Sequence, residues 1–220
     1  MKKAVCILSG GMDSATATHW AKAQGYAVVA VHFDYGQRTQ TKEASCFHRI
    51  ADDVGAVSRY QLDLSFIKAI GASALVDESI AVPTGGIEPG VPVTYVPFRN
   101  GIFLSAATAI AEKEEAEAII IGVVEEDSSG YPDCREAFLS AFEKAGNLGT
   151  KEETRFTILS PLVHLKKEEI VLEASKLGVD FSHTWSCYQF EDAACGVCDS
   201  CRLRLKGFRE AGLTDPIPYR

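Results

Sequence analysis

Two clusters of residues in this 220-residue chain have the types and spacing to do chemistry. The first is "SGGMDS" at residues 9–14, directly after the apolar run "AVCIL" of residues 4–8. Glycine lets a backbone turn sharply and lets a ligand approach it closely. The following segment, "DSATATHWAKAQG", predicts a helix rich in small residues. Its N-terminus would offer unpaired N–H groups and a partial positive charge, which suit an anion and above all a phosphate. The alternative is an ordinary tight turn capped by Ser9 or Asp13. The segment lacks the Gly-Lys-Ser/Thr of a P-loop and the G-x-G-x-x-G of a dinucleotide fingerprint.

The second cluster is "CYQFEDAACGVCDSC", which sets Cys187, Cys195, Cys198 and Cys201 apart by seven, two and two residues. Two-residue gaps let one knuckle aim several thiolates at one ion, and four thiolates satisfy tetrahedral zinc in a closed, structural site. An iron–sulfur cluster is the competing reading. Bacterial ferredoxin spacing continues to a Cys-Pro, whereas "RLRL" follows here. Zinc is therefore the expected ion, and 187–201 the expected metal module of a single domain spanning 1–220.

Weaker signals lie between. "GVVEEDSSGYPDCR" (122–135) gathers Asp127, Ser129, Tyr131, Asp133 and Arg135 around a glycine and a proline. Hydrogen-bonding groups with an arginine can hold an anionic, polar heterocycle, and Arg135 is the arginine best placed by sequence for a catalytic contact with an anion. A polar turn before a helix is the plain alternative. Glu125, Glu126 and Asp127 can help hold Mg²⁺ or be merely solvated. In "FDYGQR" (33–38), Asp34 and Arg38 are either functional or a surface pair. Cys6, Cys46 and His32 read as core, and Cys134 as unreactive.

The elements that must position these residues alternate. Strands are predicted at 27–34, 57–64, 116–124 and 155–162 besides the first apolar run. Helices are predicted at 39–56, 99–114, 133–146 and 166–177 from apolar residues at helical spacing. That alternation implies an α/β fold: a parallel sheet with helices on both faces. Ligands then sit beyond the carboxyl ends of the strands, where the motifs fall. Residues 77–97 carry four of the eight prolines and three glycines. A loop this long in a compact domain is expected to cover a substrate.

The formal net charge of −8 weighs against a nucleic-acid backbone as partner. The only basic cluster, Arg202, Arg204, Lys206 and Arg209, reads as a solvated helix face. A small-molecule substrate is favoured, with no membrane partner, since no apolar run approaches the ~20 residues of a span. Seven cysteines without an export signal point to a reducing cytoplasm.

The "SGGxDS" form resembles the pyrophosphate loop of the PP-loop ATP pyrophosphatases, whose fold is adenine nucleotide alpha-hydrolase-like and Rossmann-like in three layers. Taken with "FDYGQR", "VPFRN", "SGYPDCR" and the four cysteines in this order, nearly the full length is similar to the 7-cyano-7-deazaguanine synthase family of queuosine precursor synthesis. The resemblance implies a carbon–nitrogen ligase. It would convert 7-carboxy-7-deazaguanine, ammonia and ATP (with Mg²⁺) into the nitrile through an adenylate and an amide. It further implies a homodimer with one structural Zn²⁺ per chain. ATP would lie along Leu8, Ser9, Gly10, Gly11, Met12, Asp13, Ser14, Ala15, Thr16, Ala17 and Thr18, with Asp13 and Ser14 catalytic. Arg99 and Asn100 of "VPFRN" would join Asp127, Ser129, Tyr131, Asp133 and Arg135 around the substrate. Phe98 stands where the family pattern has glycine. Two other readings remain open: a PP-loop enzyme that adenylates a tRNA base, and a nucleotide-binding sensor without catalysis.

Overall fold

The computed structural model describes residues 1–86, 90–125 and 130–220. Its centre is β1 (Lys3–Ile7), whose residues are apolar on both sides. Then come α1 (Met12–Ala23), β2 (Ala27–Asp34), α2 (Gln40–Asp53), β3 (Ser58–Asp63), the short α3 (Phe66–Ile70), α4 (Arg99–Glu114) and β4 (Ala118–Ile121). The chain ends with α5 (Glu136–Gly149), β5 (Thr157–Leu159), α6 (Lys167–Lys176) and α7 (Asp199–Glu210). All strand pairings are parallel, in the order β3-β2-β1-β4-β5.

Strand side chains alternate between faces, and two cores result. Ala4, Cys6 and Leu8 join Ala30 and Ile120 against α1, α2, α6 and α7, through Phe47, Ile170 and Phe208. Val5 and Ile7 join Val31 and Ile119 against α4 and α5, through Phe103, Leu104 and Leu139. The chain winds outward from β1 in one direction to β3 and then, from β4, in the other. The carboxyl ends of β1 and β4 therefore form the switch point where ligands bind in open parallel sheets.

The expected helices and strands are present with some changed bounds. The strand at 116–124 shrinks to Ala118–Ile121. The helix expected from 133 starts at Glu136, because Pro132–Cys134 form a 3-10 turn and Arg135 is extended. The basic run is a solvated face only in part: Arg202 and Arg209 are exposed, but Arg204 is not. The run lies on α7, and Arg204 is only 1% exposed. Its guanidinium donates to both carboxylate oxygens of Asp215, at 2.6 and 2.8 Å, and to Thr184 Oγ1 at 2.7 Å. Tyr219 Oη donates to the same carboxylate at 2.6 Å. The pair pins the C-terminal segment to α7.

Removing one partner of a buried ion pair strands the other charge, at about 3–5 kcal/mol. Arg204→Ala should therefore lower the unfolding free energy by about that much in urea titrations, whereas Arg209→Ala should change it little.

Candidate active site

The first loop is built by its own hydroxyls. Ser9 N donates to Ser14 Oγ at 3.2 Å, Gly11 N to Ser9 Oγ at 3.3 Å, and Ser14 Oγ to Gly11 O at 2.9 Å. Neighbours hold it from outside. His32, buried on β2, donates from Nδ1 to Leu8 O at 3.0 Å, and Trp185 N donates to Gly10 O at 2.9 Å. The tautomer of His32 follows from its partner, since a carbonyl only accepts. No side chain caps α1, so its first N–H groups are available to an anion.

The two glycines do different work. Gly10 has φ +88°, and a Cβ there would lie 2.6 Å from Glu43 O. Gly11 is extended, at φ −81° and ψ 161°, and a Cβ there would meet only ordinary contacts. Across the switch point, a Cβ on Gly122 would lie 2.8 Å from the Asp13 carbonyl, so the end of β4 presses directly on the first turn of α1.

A cavity of about 280 Å³ opens over this loop. Leu8, Ser9, Gly11, Met12, Asp13 and Ser14 line it. Gly10 and residues 15–18 are not in its wall; Thr16 and Thr18 turn their hydroxyls back to helix carbonyls at 2.8 and 2.7 Å. Asp13 accepts from Lys167 Nζ at 2.5 Å, a contact made by the first residue of α6. Phe33, Tyr35, Phe103, Tyr131 and Tyr188 add aromatic rings to the same wall. Among them Arg99 donates to Tyr35 Oη at 2.9 Å and lies over the Tyr35 and Phe103 rings.

Of the residues expected around the substrate, Arg99, Asn100 and Tyr131 line this cavity. Tyr131 Oη donates to Thr94 Oγ1 at 3.0 Å. Through Thr94 the loop 77–97 reaches the cavity wall. Asp133 instead terminates α4: its carboxylate accepts from Asn100 N at 2.9 Å and from Asn100 Nδ2 at 3.3 Å. Arg135 is exposed and absent from the wall, because the 3-10 turn places it outside, at the start of α5. Asp127, Ser129 and Glu126 lie outside the described residues. Glu125 accepts from Glu136 N at 3.3 Å. Cys134 lines the wall, but burial and the Asp133 charge push its thiol up to about 12, which leaves it protonated. Asp34 and Arg38 do not pair: Arg38 donates to the carbonyls of Ala74, Asp77 and Ile80, at 2.8, 3.0 and 2.8 Å, and so straps the segment 74–80.

Reading the sequence missed Lys167 and Glu43. Both line the cavity, and neither sits in a recognisable motif. Helical spacing alone would have shown only that each lies in the first turn of a helix.

The four thiols come together as their spacing suggested. One sulfur from each of Cys187, Cys195, Cys198 and Cys201 lies within 4.8 Å of all the others. The Cys195 and Cys201 sulfurs are 3.9 Å apart, close to the about 3.8 Å edge of a tetrahedron with 2.3 Å metal–sulfur bonds. Cys187 Sγ accepts from Gln189 N and Cys195 N, each at 3.4 Å. The donor set fits a thiophilic metal ion.

A family model described as queuosine biosynthesis protein QueC matches residues 3–212. The chain belongs to this family. It is 64% identical over 219 residues to a 7-cyano-7-deazaguanine synthase of Sulfurovum sp. (strain NBC37-1), covering 100% of this chain and 99% of that protein. It is equally 64% identical, over 220 residues, to a protein of the same name from Nautilia profundicola (strain ATCC BAA-1463 / DSM 18972 / AmH), with 100% and 99% coverage. Among solved structures, a 4-thiouridine synthetase–RNA complex with bound ATP aligns with a TM-score of 0.52 at 21% identity. It covers 80% of this chain and 41% of that one, a likeness of fold alone. The QueC family match spans both the glycine loop and the cysteine cluster.

The glycines make separable predictions. Gly11→Val should leave urea stability within about 1 kcal/mol, since its backbone is already extended and open, yet place methyl groups where phosphate would lie and abolish ATP binding by calorimetry. Gly10→Ala should destabilise the fold itself by about 1–3 kcal/mol, through an unfavourable φ and a backbone clash.

Proposed function

We propose that this chain carries out the reaction for which its relatives are named: 7-carboxy-7-deazaguanine, ammonia and ATP give 7-cyano-7-deazaguanine through an adenylated acid and an amide. The observation that carries this reading is the shared cavity. An uncapped helix N-terminus behind a glycine loop and the half-buried Arg99 among aromatic rings line one space. The loop suits the phosphates of ATP. The aromatic rings of the wall suit a flat heterocycle, and Arg99 its carboxylate. A carboxylate is a poor electrophile; transfer of AMP makes its oxygen a leaving group, and a second activation at the amide oxygen allows the nitrile to form. The protein's contribution is largely positioning and charge stabilisation. Asp13 and Ser14 keep their proposed catalytic roles, with Lys167 beside them. The role first given to Arg135 passes to Arg99.

The basic run supports a small molecule over tRNA. Arg204 is internal, Arg202 donates to Thr84 O at 2.6 Å, and the Lys206 and Arg209 side chains each lie 3.9 Å from Glu210. These contacts remove Arg204 from the face and set acidic Glu210 beside Lys206 and Arg209.

For the metal we propose one structural Zn²⁺ per chain, held by the four cysteines, and Mg²⁺ as the companion of ATP. The ligand set argues for the first and phosphate charge for the second. A single domain over 1–220, a homodimer and a cytoplasmic location complete the proposal. No helix among the described residues is long and apolar enough to cross a membrane.

Purified protein given the acid, ammonium and Mg-ATP should release pyrophosphate and form the 7-cyano base, with the amide accepted as substrate. Pyrophosphate release with unmodified tRNA and none with the acid would replace this reading with the RNA-modifying one. Arg99→Ala should raise the KM for the acid by about 10²–10³-fold, the scale for deleting one partner of a buried charge pair, and leave the KM for ATP within about threefold. Elemental analysis should find about one zinc per chain; iron would mean the cluster alternative holds.

A further inference from the structure

The proposed reaction has a proton problem. When ammonia attacks the adenylated carboxyl carbon, a C–N bond forms, the C–O bond to AMP breaks and AMP leaves with the electron pair. The nitrogen must then release a proton. In the second half the adenylated amide oxygen leaves as AMP while a C≡N bond forms, and nitrogen gives up its remaining protons. Ammonium, the dominant form at neutral pH, has one more to lose. Each step needs an acceptor within the cavity.

Arg99 and Lys167 are cations and cannot serve. Among the described residues three carboxylates line the wall: Asp13, Glu43 and Asp199. Asp13 is engaged by Lys167 at 2.5 Å, and Asp199 adjoins the metal ligand Cys198. Glu43, in the first turn of α2, is different. Its oxygens are held by neutral donors, Thr39 Oγ1 at 2.7 Å on Oε1 and Gln37 Nε2 at 3.1 Å on Oε2. A carboxylate oxygen accepts more than one hydrogen bond, so acceptor capacity remains on each. Gln37 is itself fixed: its Oε1 accepts from Tyr35 N at 2.9 Å, and its Nε2 also reaches Phe33 O at 3.3 Å. The Glu43 carbonyl packs against Gly10, so the carboxylate is anchored beside the loop proposed to hold the adenylate.

We propose that Glu43 is a catalytic residue, the proton acceptor for the nitrogen nucleophile in this cavity, with Gln37 and Thr39 as the residues that aim it. This rests on the proposed synthase reading. The surroundings suit the task. Burial raises the Glu43 carboxyl to about 7, against the opposing pull of the Thr39 and Gln37 hydrogen bonds. The Arg99 charge on α4 also lowers it, and the Asp34 charge on β2 raises it. Tyr35 and Cys46, which feel the Glu43 charge, are themselves held protonated by burial, and Lys42 lies over the Trp185 ring. An acid–base group works best with a pKa near the working pH. The accepting form is the carboxylate, so activity from this group rises as pH climbs through about 7.

Glu43→Gln tests this with two readouts. The first is acid-dependent exchange of labelled pyrophosphate into ATP, which reports adenylation and needs no ammonia. The second is formation of amide and nitrile. Exchange should persist within about threefold, while amide formation falls by about 10²–10⁴-fold, the usual scale for a lost acid–base group. Log kcat against pH should lose its rise near neutrality, and Glu43→Asp should restore that rise in part. Amide formation in Glu43→Gln within tenfold of the parent, or joint loss of exchange and amide formation, would overturn the assignment; joint loss would make Glu43 a prop for the loop. Absence of acid-dependent exchange in the unaltered protein would instead overturn the synthase reading.

Discussion

Four sulfurs drawn to one point near the C-terminal end of the chain govern a loop at the other end. Cys187 follows Trp185 and Ser186, and Cys198 immediately precedes α7. Gathering the thiols sets the segment carrying Trp185, Ser186 and Tyr188 against the start of α7, and both line the cavity. Trp185 then holds the Gly10 carbonyl. Helix α7 packs on α6 so closely that a Cβ on Gly207 would lie 2.9 Å from the Lys167 Cβ, and Lys167 reaches Asp13. Two chains of contact thus run from the cysteines to the glycine loop. A metal ion held by these thiols would set the geometry of the site, because metal binding and local folding are coupled in such knuckles.

The same end of the molecule is closed by a second device. The Arg204–Asp215 pair ties the last residues to α7, Ala194 bridges to Tyr219, and the Tyr219 ring lies 3.6 Å from a Cβ position on Gly196. This terminal strap lies over the knuckle. Buried ion pairs are weak evidence for stability as such, but here the charge is used to fix one arrangement of a segment with little apolar core of its own. The Arg38 strap on the segment 74–80 follows the same logic with neutral carbonyls as partners.

Much of this was legible in the residues. Apolar runs bounded by glycine marked the buried strands, and the order of elements forced the motifs to one edge of the sheet. The cysteine spacing announced its own geometry. Side-chain direction after a turn was not legible. In "YPDCR", polarity and position recommended Asp133 and Arg135 equally with Tyr131, yet the 3-10 turn sends one to cap a helix and the other to solvent. Arg204 was misread for a related reason, since Asp215, its partner, lies eleven residues away beyond the end of α7. Lys167 and Glu43 are ordinary helix-surface residues by pattern, and only the packing of α6 and α2 on the glycine loop turns them inward.

Phe98 shows how such a departure is accommodated. It precedes α4 with φ 53° and ψ 27°, the left-handed region that favours glycine, and a non-glycine residue there costs on the order of 1 kcal/mol. The ring offsets part of that cost by covering Gly101 and meeting Phe138 edge-on, with centroids 5.7 Å apart. The Phe98 N–H donates to Tyr95 Oη at 2.9 Å, and the Tyr95 ring in turn contacts Tyr131. A Cβ on Gly101 would fall 2.3 Å from the Phe98 ring as it stands, so a larger residue at 101 would require the ring to shift. What the arrangement preserves is the first turn of α4, which carries Arg99 into the cavity and Asn100 onto Asp133. The left-handed turn, and not the identity of the residue making it, is what the site requires.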